Sequence, residues 1–431
     1  VIGTFYSLFI ILYGLAIKLA AQWNPKARQW VNGRKDFFEK LQVQLKKLPN
    51  DNRGTIWMHC ASLGEFEQGR PVLEQLRNKY PQLIVVLTFF SPSGYEIRKN
   101  YKGADMVLYL PLDTLSNARK FIQSINPTLV LWVRYEFWMH YIEEIKRKGV
   151  PLLLLSGTIQ KGNRIYGIYR KKLFKCFTHF FVQTVSSALF LKHEGFGQNV
   201  TVAGDTRFDR VIEIAEAFEP VAQVDAFCRG HRVLVAGSTW TEDEEELIHY
   251  VKVNPGIRFI IAPHEVDKEN IKNVQKEFPR SILFSELEAG LNEKKSVATA
   301  ESAGIEEAVH VLIIDNIGML SRLYYYADIA YVGGGFGDAG LHNILEAAVY
   351  GKPVVFGPVY QRHFEAVEME TAGGAISIEN ALELESELNA LLNDEALLKK
   401  RGNAARQYVY NNAGATRTIL DYIYKNRLLT N

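Results

Sequence analysis

The 431-residue sequence predicts an α/β protein: two Rossmann-like domains behind an N-terminal apolar helix. Three observations predict it. From Thr55 onward, short apolar runs suited to strands buried on both faces alternate with helix-length segments. The alternation lapses after Gly204 and restarts at Arg232 with RVLVAGST. Ahead of both halves, VIGTFYSLFIILYGLAI carries no charged side chain before Lys18.

Residues 1–21 reach the lower limit for a membrane span, about 17–25 residues. Lys18, Lys26, Arg28, Arg34 and Lys35 follow the apolar run. By the positive-inside tendency this predicts a single-pass anchor at an inner membrane, with the rest of the chain cytoplasmic. A cleaved signal peptide and a buried core helix are the rival readings. Residues 22–50 read as a basic linker with an amphipathic helix over 35–47. The first domain, 51–210, shows strands at 55–60, 83–89, 106–110, 129–133, 151–155, 180–183 and 200–204, with helices between them. Residues 211–231 read as an interdomain linker. The second domain, 232–415, shows strands at 232–239, 259–262, 281–284, 311–314, 329–332 and 353–356. A polar surface excursion interrupts it at 286–306. A last helix, 416–431, is expected to pack back on the first domain. Two such halves enclose a central cleft in which ligands meet strand carboxyl ends.

Hydrophobic content of 47% and charge of 23% describe a globular chain, and a net charge of +2 gives no nucleic-acid signal. Cys60, Cys176 and Cys228 are far apart and form no CxxC, which excludes a disulfide framework and a cysteine zinc site. No histidine or cysteine set has metal-ligand spacing, so neither metal nor cofactor is expected. The sequence has no Walker A lysine and no GxSxG elbow, which removes the P-loop NTPases and the α/β-hydrolases.

The chemistry gathers at strand-to-helix turns. Gly333, Gly334 and Gly335 follow a strand and precede a helix expected over 342–349. Backbone N–H groups there would suit a phosphate or carboxylate, and a tight structural turn is the alternative. Asn343 and Glu346, at i and i+3, share a helical face at the loop mouth and, with the neighbouring His342, favour a binding role in which Glu346 could grip sugar hydroxyls. In the first domain, HCASLGE follows the first strand. Ser62 and Gly64 allow the turn, and Glu65 becomes either a general base or a first-turn glutamate that complements the helix dipole. Glu136 follows LVLWV in the same manner, to orient substrate or to pair with Arg134. After Ser156, residues Lys161, Arg164, Tyr169 and Arg170 form a basic, aromatic stretch: a platform for an anionic partner or a solvated helix face. Arg207 could reach a carboxylate or phosphate, or cap a hinge. Gly237-Ser238-Thr239 and Gly318-Met319-Leu320 offer further N–H groups. His264 is a structural histidine or a phosphate donor.

Together these stretches resemble the Kdo transferases of lipid A assembly, the 3-deoxy-D-manno-octulosonic acid transferases. The resemblance rests on the apolar N-terminus, WMHCASLGE, TFFSPSGYE, LPLDT, the Glu136 turn, GDTRFD, AGSTWTEDEE, the 315–320 turn and GGGF…HNILEAA…GP. It implies a GT-B fold and inverting transfer of Kdo from CMP-Kdo to a lipid A precursor, with no active-site metal. It implies that Glu65 is the base and Glu136 a second important acid. It also implies that the donor is held by Arg207, Gly237, Ser238, Thr239, His264, Gly318, Met319, Leu320, Gly334, Gly335, His342, Asn343 and Glu346. Ser62, Gly64, Ser156, Lys161, Arg164, Tyr169 and Arg170 fall to the acceptor. Two positions depart from the family: APHEV carries His264 without an adjoining arginine, and Ala347 follows Glu346 where proline is frequent. A sugar-nucleotide 2-epimerase and a non-catalytic lipid-binding protein are the competing functions.

Overall fold

Apart from a strand at Ala375–Ser377 that no apolar run announced, the strands form at or within a few residues of the predicted runs, because a two-sided parallel sheet buries such runs completely. The computed structural model describes residues 2–48, 54–134, 136–160, 164–293, 309–338 and 340–429. It divides into two units, residues 1–210 with 413–431, and residues 211–412.

The first unit holds a seven-stranded sheet in the order β3-β2-β1-β4-β5-β6-β7. Its strands are β1 (Thr55–Cys60), β2 (Ile84–Phe89), β3 (Met106–Tyr109), β4 (Leu129–Val133), β5 (Leu152–Gly157), β6 (His179–Val182) and β7 (Val200–Val202). All pairings are parallel. The order reverses between β1 and β4, so the loops after these two strands diverge and leave a crevice at their carboxyl ends. One face of the sheet packs Trp57, Trp132 and Tyr141; the other packs Met58, Phe66 and Leu131.

The helix Ala415–Lys425 completes that second face. Ile419, Leu420 and Ile423 are buried in the same cluster as Phe66, Val72 and Leu76 of the helix Leu63–Lys79. Asp209 fixes its start by accepting from the N–H groups of Gly414 and Thr416, both at 2.6 Å.

The N-terminal helix Ile2–Ala20 contains an apolar segment, Gly3–Ala20, long enough to cross a membrane. It is not a tether apart from the body. Positions 3, 6, 7, 10, 13, 14, 17 and 20 are the covered ones, a helical stripe laid on the first unit. Tyr13 stacks on Phe90 at 6.3 Å, and Ile10 is fully buried. Phe5, Leu8, Phe9, Leu12, Leu15 and Leu19 point away from the body and are more than half exposed. The stretch expected as a basic linker with an amphipathic helix over 35–47 holds that helix at Phe37–Leu45 and an additional one at Pro25–Gly33. Arg34 fixes it: the buried guanidinium lies 3.8 Å over the Trp30 ring and donates to the Phe90 and Leu110 carbonyls. Burial pulls its pKa down to about 9.

The second unit repeats the architecture with the order β10-β11-β9-β8-β12-β13-β14, again all parallel. Its strands are β8 (Arg232–Thr239), β9 (Ile257–Pro263), β10 (Ser281–Leu283), β11 (Val311–Ile313), β12 (Ile329–Val332), β13 (Val354–Phe356) and β14 (Ala375–Ser377). Here the order reverses between β8 and β12. Residues 211–231, expected as a linker, instead contain the helix Ala222–Cys228 and pack on this unit. Val224 is buried, and Phe218 stacks on Tyr325 at 3.9 Å. Part of the expected surface excursion forms the helix Phe284–Glu293, and residues 294–308 lie outside the described residues.

Truncating a helix that closes a core face leaves a cavity costing about 2–5 kcal/mol. Ile423→Ala should lower the urea midpoint of the first unit by that measure. Tryptophan fluorescence reads it, since five of the six tryptophans, Trp57 and Trp132 among them, lie in that unit.

Candidate functional site

At the first reversal point, β1 ends in Cys60-Ala61 and the helix Leu63–Lys79 opens from the N-cap Ser62. The Ser62 hydroxyl makes no cap bond. Glu65 does the capping instead: its carboxylate accepts from the Ala61 N–H. Glu65 is 7% exposed, and burial raises its pKa to about 7. The Ala61 N–H opposes the rise, the nearby Glu136 adds to it, and Arg134 opposes it. Glu65 thus sits in the first turn of its helix as a buried, capping carboxyl whose pKa is raised toward neutrality. A Cβ built on Gly64 would meet nothing within 4 Å, so the turn is open beside the carboxyl.

Glu136 follows β4 across the reversal. Its main-chain oxygen accepts from Trp132 Nε1 at 2.6 Å, and burial raises its carboxyl to about 7 as well. Its Oε2 is buried with no hydrogen-bond partner among the described residues. Two non-glycine residues at neighbouring strand ends, Arg134 (φ 64°) and Ser156 (φ 51°), adopt left-handed backbone. That conformation costs about 1–3 kcal/mol and clusters at functional sites. The first unit therefore brings Glu65, Glu136, Arg134 and Gly64 to one crevice.

Three of the other residues expected at the acceptor, Ser156, Tyr169 and Arg170, are engaged elsewhere. Ser156 is 1% exposed, with its hydroxyl 3.4 Å from that of Thr206. Tyr169 stacks on Tyr6 and donates to the Phe137 carbonyl at 3.3 Å. Arg170 is not a surface cation: it is 7% exposed, donates to the Gln160 carbonyl and covers the Phe190 ring at 4.8 Å. On the same helix, Lys171 pairs with Glu194 and Lys172 with Glu143. Lys161 lies outside the described residues, as does the Arg164 side chain. Arg207 is ion-paired to Asp205 at 2.9 Å within its own turn, and Asp205 also accepts from Gln68 and Gln183.

At the second reversal point, β8 ends at the Ser238 bulge (φ 54°), and the helix Thr241–Val253 follows. Asp243 organises this end. It accepts from the Trp240 N–H at 2.9 Å, the Gly334 N–H at 2.8 Å and the Tyr331 hydroxyl at 2.8 Å, and it is 1% exposed. Sequence reasoning missed it, although an acid at N3 of a helix is a capping signal. Beside it, Thr239 donates to Glu244, whose burial lifts its pKa to about 7.

The glycine loop differs from the expectation of an open gap. A Cβ on Gly333 would lie 2.4 Å from the Ser238 carbonyl oxygen, and one on Gly335 would lie 2.6 Å from the Gly357 nitrogen. The space is filled by the protein's own backbone, and the Gly334 N–H is taken by Asp243. The helix expected from residue 342 is a single turn, Leu345–Ala348. Asn343 caps it through Leu345 N at 3.3 Å and donates to Glu346 at 3.0 Å, so these two side chains are joined, as their spacing suggested. His342 accepts from Trp240 Nε1 at 3.1 Å through Nε2. Because the indole only donates, His342 is neutral and carries its proton on Nδ1. Burial lowers its pKa to about 4, and His264, stacked on it at 4.5 Å, is lowered too. Neither histidine is a cation at neutral pH. Gly318 (φ 99°) and the buried Met319 precede the short helix Leu320–Leu323, so that turn is also only one turn of helix.

Two predictions follow from these contacts. A methyl group at Gly335 must displace backbone, so Gly335→Ala should destabilise the second unit by about 1–3 kcal/mol or more in chemical denaturation. The second concerns Glu65, whose folded pKa lies above its unfolded value of 4.5. Its proton therefore stabilises the fold at low pH, and that stability is lost as pH rises through about 7. Glu65→Gln removes the buried charge. It should raise the melting temperature at pH 8 by about 3 °C, and the gain should vanish below about pH 4.5 in calorimetry.

Residues 35–210 match the family model described as 3-Deoxy-D-manno-octulosonic-acid transferase (kdotransferase). The chain is 26% identical over 370 residues to a bifunctional glycosyltransferase/methyltransferase of Fusobacterium nucleatum, covering 80% of this chain but only 55% of that one. It is 27% identical over 355 residues to a 3-deoxy-D-manno-octulosonic acid transferase of Aquifex aeolicus, covering 80% of this chain and 88% of that one. In fold it is similar to the UDP-GlcNAc 2-epimerase of Neisseria meningitidis, with a TM-score of 0.60 at 16% identity over 86% of this chain and all of that one. The two parallel sheets are thus GT-B-like, residues 35–210 are similar to the Kdo transferase family model, and the likeness to the Aquifex aeolicus transferase extends over four-fifths of the chain.

Proposed function

We propose that the protein is an inverting glycosyltransferase that moves Kdo from CMP-Kdo to a lipid A precursor at the inner membrane. The observation that carries the reading is Glu65: a buried carboxyl titrating near 7, at the reversal point of the first sheet, beside an open glycine turn. A base with that pKa is ionised in a useful fraction of molecules near neutrality and still binds a proton well. In the proposed step, Glu65 takes the proton of an acceptor hydroxyl as the oxygen attacks the anomeric carbon of Kdo. The bond to the phosphate oxygen breaks on the opposite face, and CMP leaves with the electron pair. Glu136 lies close enough to raise the pKa of Glu65 and shares the burial that keeps the base from being ionised too readily.

The second unit supplies the donor side in this reading. With His264 and His342 neutral, binding of the donor's phosphate and carboxylate in this unit would rest on N–H donors, His342 Nδ1 among them. The similarity to the Aquifex aeolicus transferase supports the choice of donor. The outward apolar face of the N-terminal helix supports membrane seating, with Lys18, Lys26 and Arg28 placed for anionic head groups. That helix also weighs against a soluble epimerase, whose likeness here is one of fold.

The test is incubation of the full chain with CMP-Kdo and a tetraacylated lipid A precursor, followed by mass spectrometry of the lipid. Addition of Kdo is expected, and an unmodified lipid sinks the proposal. Glu65→Gln should lower kcat by about 10²–10⁴-fold. Wild-type kcat/KM should rise with pH up to about 7 and then level, because the base must lose its proton.

A further inference from the structure

We propose that Tyr6, on the apolar N-terminal helix, is a positioning residue for Glu136, so that the seating of this helix controls the transfer site. The inference rests on the reading of Glu136 as one of the carboxyls of that site.

The helix Met139–Arg147 begins directly after the Glu136 turn, and its N-cap residue, Trp138, makes no side-chain cap bond. The first N–H groups of a helix have no partner within it. Here distant residues supply them. Met139 N–H donates to the Tyr6 hydroxyl oxygen at 3.3 Å. His140 and Tyr141 N–H donate to the two oxygens of Asp113, each at 3.1 Å. The Tyr6 hydroxyl in turn donates to Asp113 at 2.5 Å, and Asp113 is 1% exposed. One phenol therefore accepts from the helix and donates to the carboxylate that holds the rest of its first turn.

The same ring reaches back into the loop. Tyr169 stacks on Tyr6 with centroids 5.8 Å apart and donates to the Phe137 carbonyl at 3.3 Å. Trp132 holds the Glu136 carbonyl. The main chain of Glu136, Phe137 and Met139 is thus pinned by Trp132, Tyr169 and Tyr6, and two of these contacts depend on Tyr6. The turn enters through Arg134 in left-handed backbone, a conformation that persists only when its surroundings impose it. Ser7, one residue further along the apolar helix, places its hydroxyl 3.0 Å from His140 Nε2. The helix face opposite Tyr6 is the exposed apolar one. A helix lifted from the body would withdraw Tyr6 and release the turn that carries Glu136.

Tyr6→Phe keeps the ring and removes the hydroxyl. In lipid nanodiscs, amide exchange over residues 136–141 should quicken about tenfold, with the second unit unchanged. Membrane partition should stay within about twofold. With CMP-Kdo and lipid acceptor, kcat should fall about 10–100-fold while both KM values stay within about twofold. Unchanged exchange overturns the proposal. So does faster exchange with kcat retained, or a change confined to KM. If Tyr6→Phe fails to fold, Tyr169→Phe carries the test: it leaves the stack, removes the bond to Phe137, and must lower kcat in the same direction or the proposal falls. A wild-type chain that transfers no Kdo overturns the proposed reaction and any catalytic role for Tyr6. The exchange measurement alone then decides whether Tyr6 holds the turn.

Discussion

Each sheet changes its winding direction once, and everything chemically interesting in the two units sits where it does so. A parallel strand order cannot reverse without sending two successive loops apart at the strand ends. In the first unit those loops carry Glu65 and Glu136; in the second they carry the Thr239–Trp240 turn and the three glycines. The site residues need no special machinery to be brought together. Backbone pairing of β1 with β4, and of β8 with β12, does it. What local chemistry adds is tuning: burial that raises two carboxyls toward neutrality, and capping bonds that hold the loops still.

The two reversal points are stabilised by the same device in different forms. In each, a buried aspartate accepts N–H groups from a helix start while also binding a tyrosine hydroxyl. Asp113 does so with Tyr6, and Asp243 with Tyr331. Buried carboxylates are tolerated when several donors converge on them, and such fully satisfied networks fix one geometry. Asp243 ties the glycine loop to the helix start, which explains why loop glycines are packed against backbone. Asp113 ties an apolar surface helix to the loop of Glu136.

Sequence patterns made every strand but Ala375–Ser377 legible in its order along the chain, since runs such as 129–133 and 329–332 are apolar on both faces. The positions of Glu65 and Glu136 at strand ends were legible for the same reason, and so was the Asn343–Glu346 pair, which is local. What escaped depends on partners far away in sequence. Nothing near Arg170 signals that it turns inward over Phe190, or that Glu143 and Glu194 pair with its lysine neighbours. Nothing near Gly335 signals that Gly357 fills its space. Asp113 and Asp243 were present in quoted motifs, yet their roles depend on tyrosines about a hundred residues away. The apolar N-terminus predicted a membrane helix, but not that one of its faces is committed to the body.

The helix Ala415–Lys425 gives the chain an unusual order of completion. The second unit is one continuous stretch, residues 211–412, and can finish as soon as it is synthesised. The first unit begins earlier but ends later, because one face of its sheet waits for Ile419 and Ile423 at the far end of the chain. During translation Phe66, Val72 and Leu76 therefore emerge long before their cover. A nascent chain of this protein displays an uncapped apolar layer for most of its synthesis, so its dependence on chaperones should be greatest just before the last helix appears.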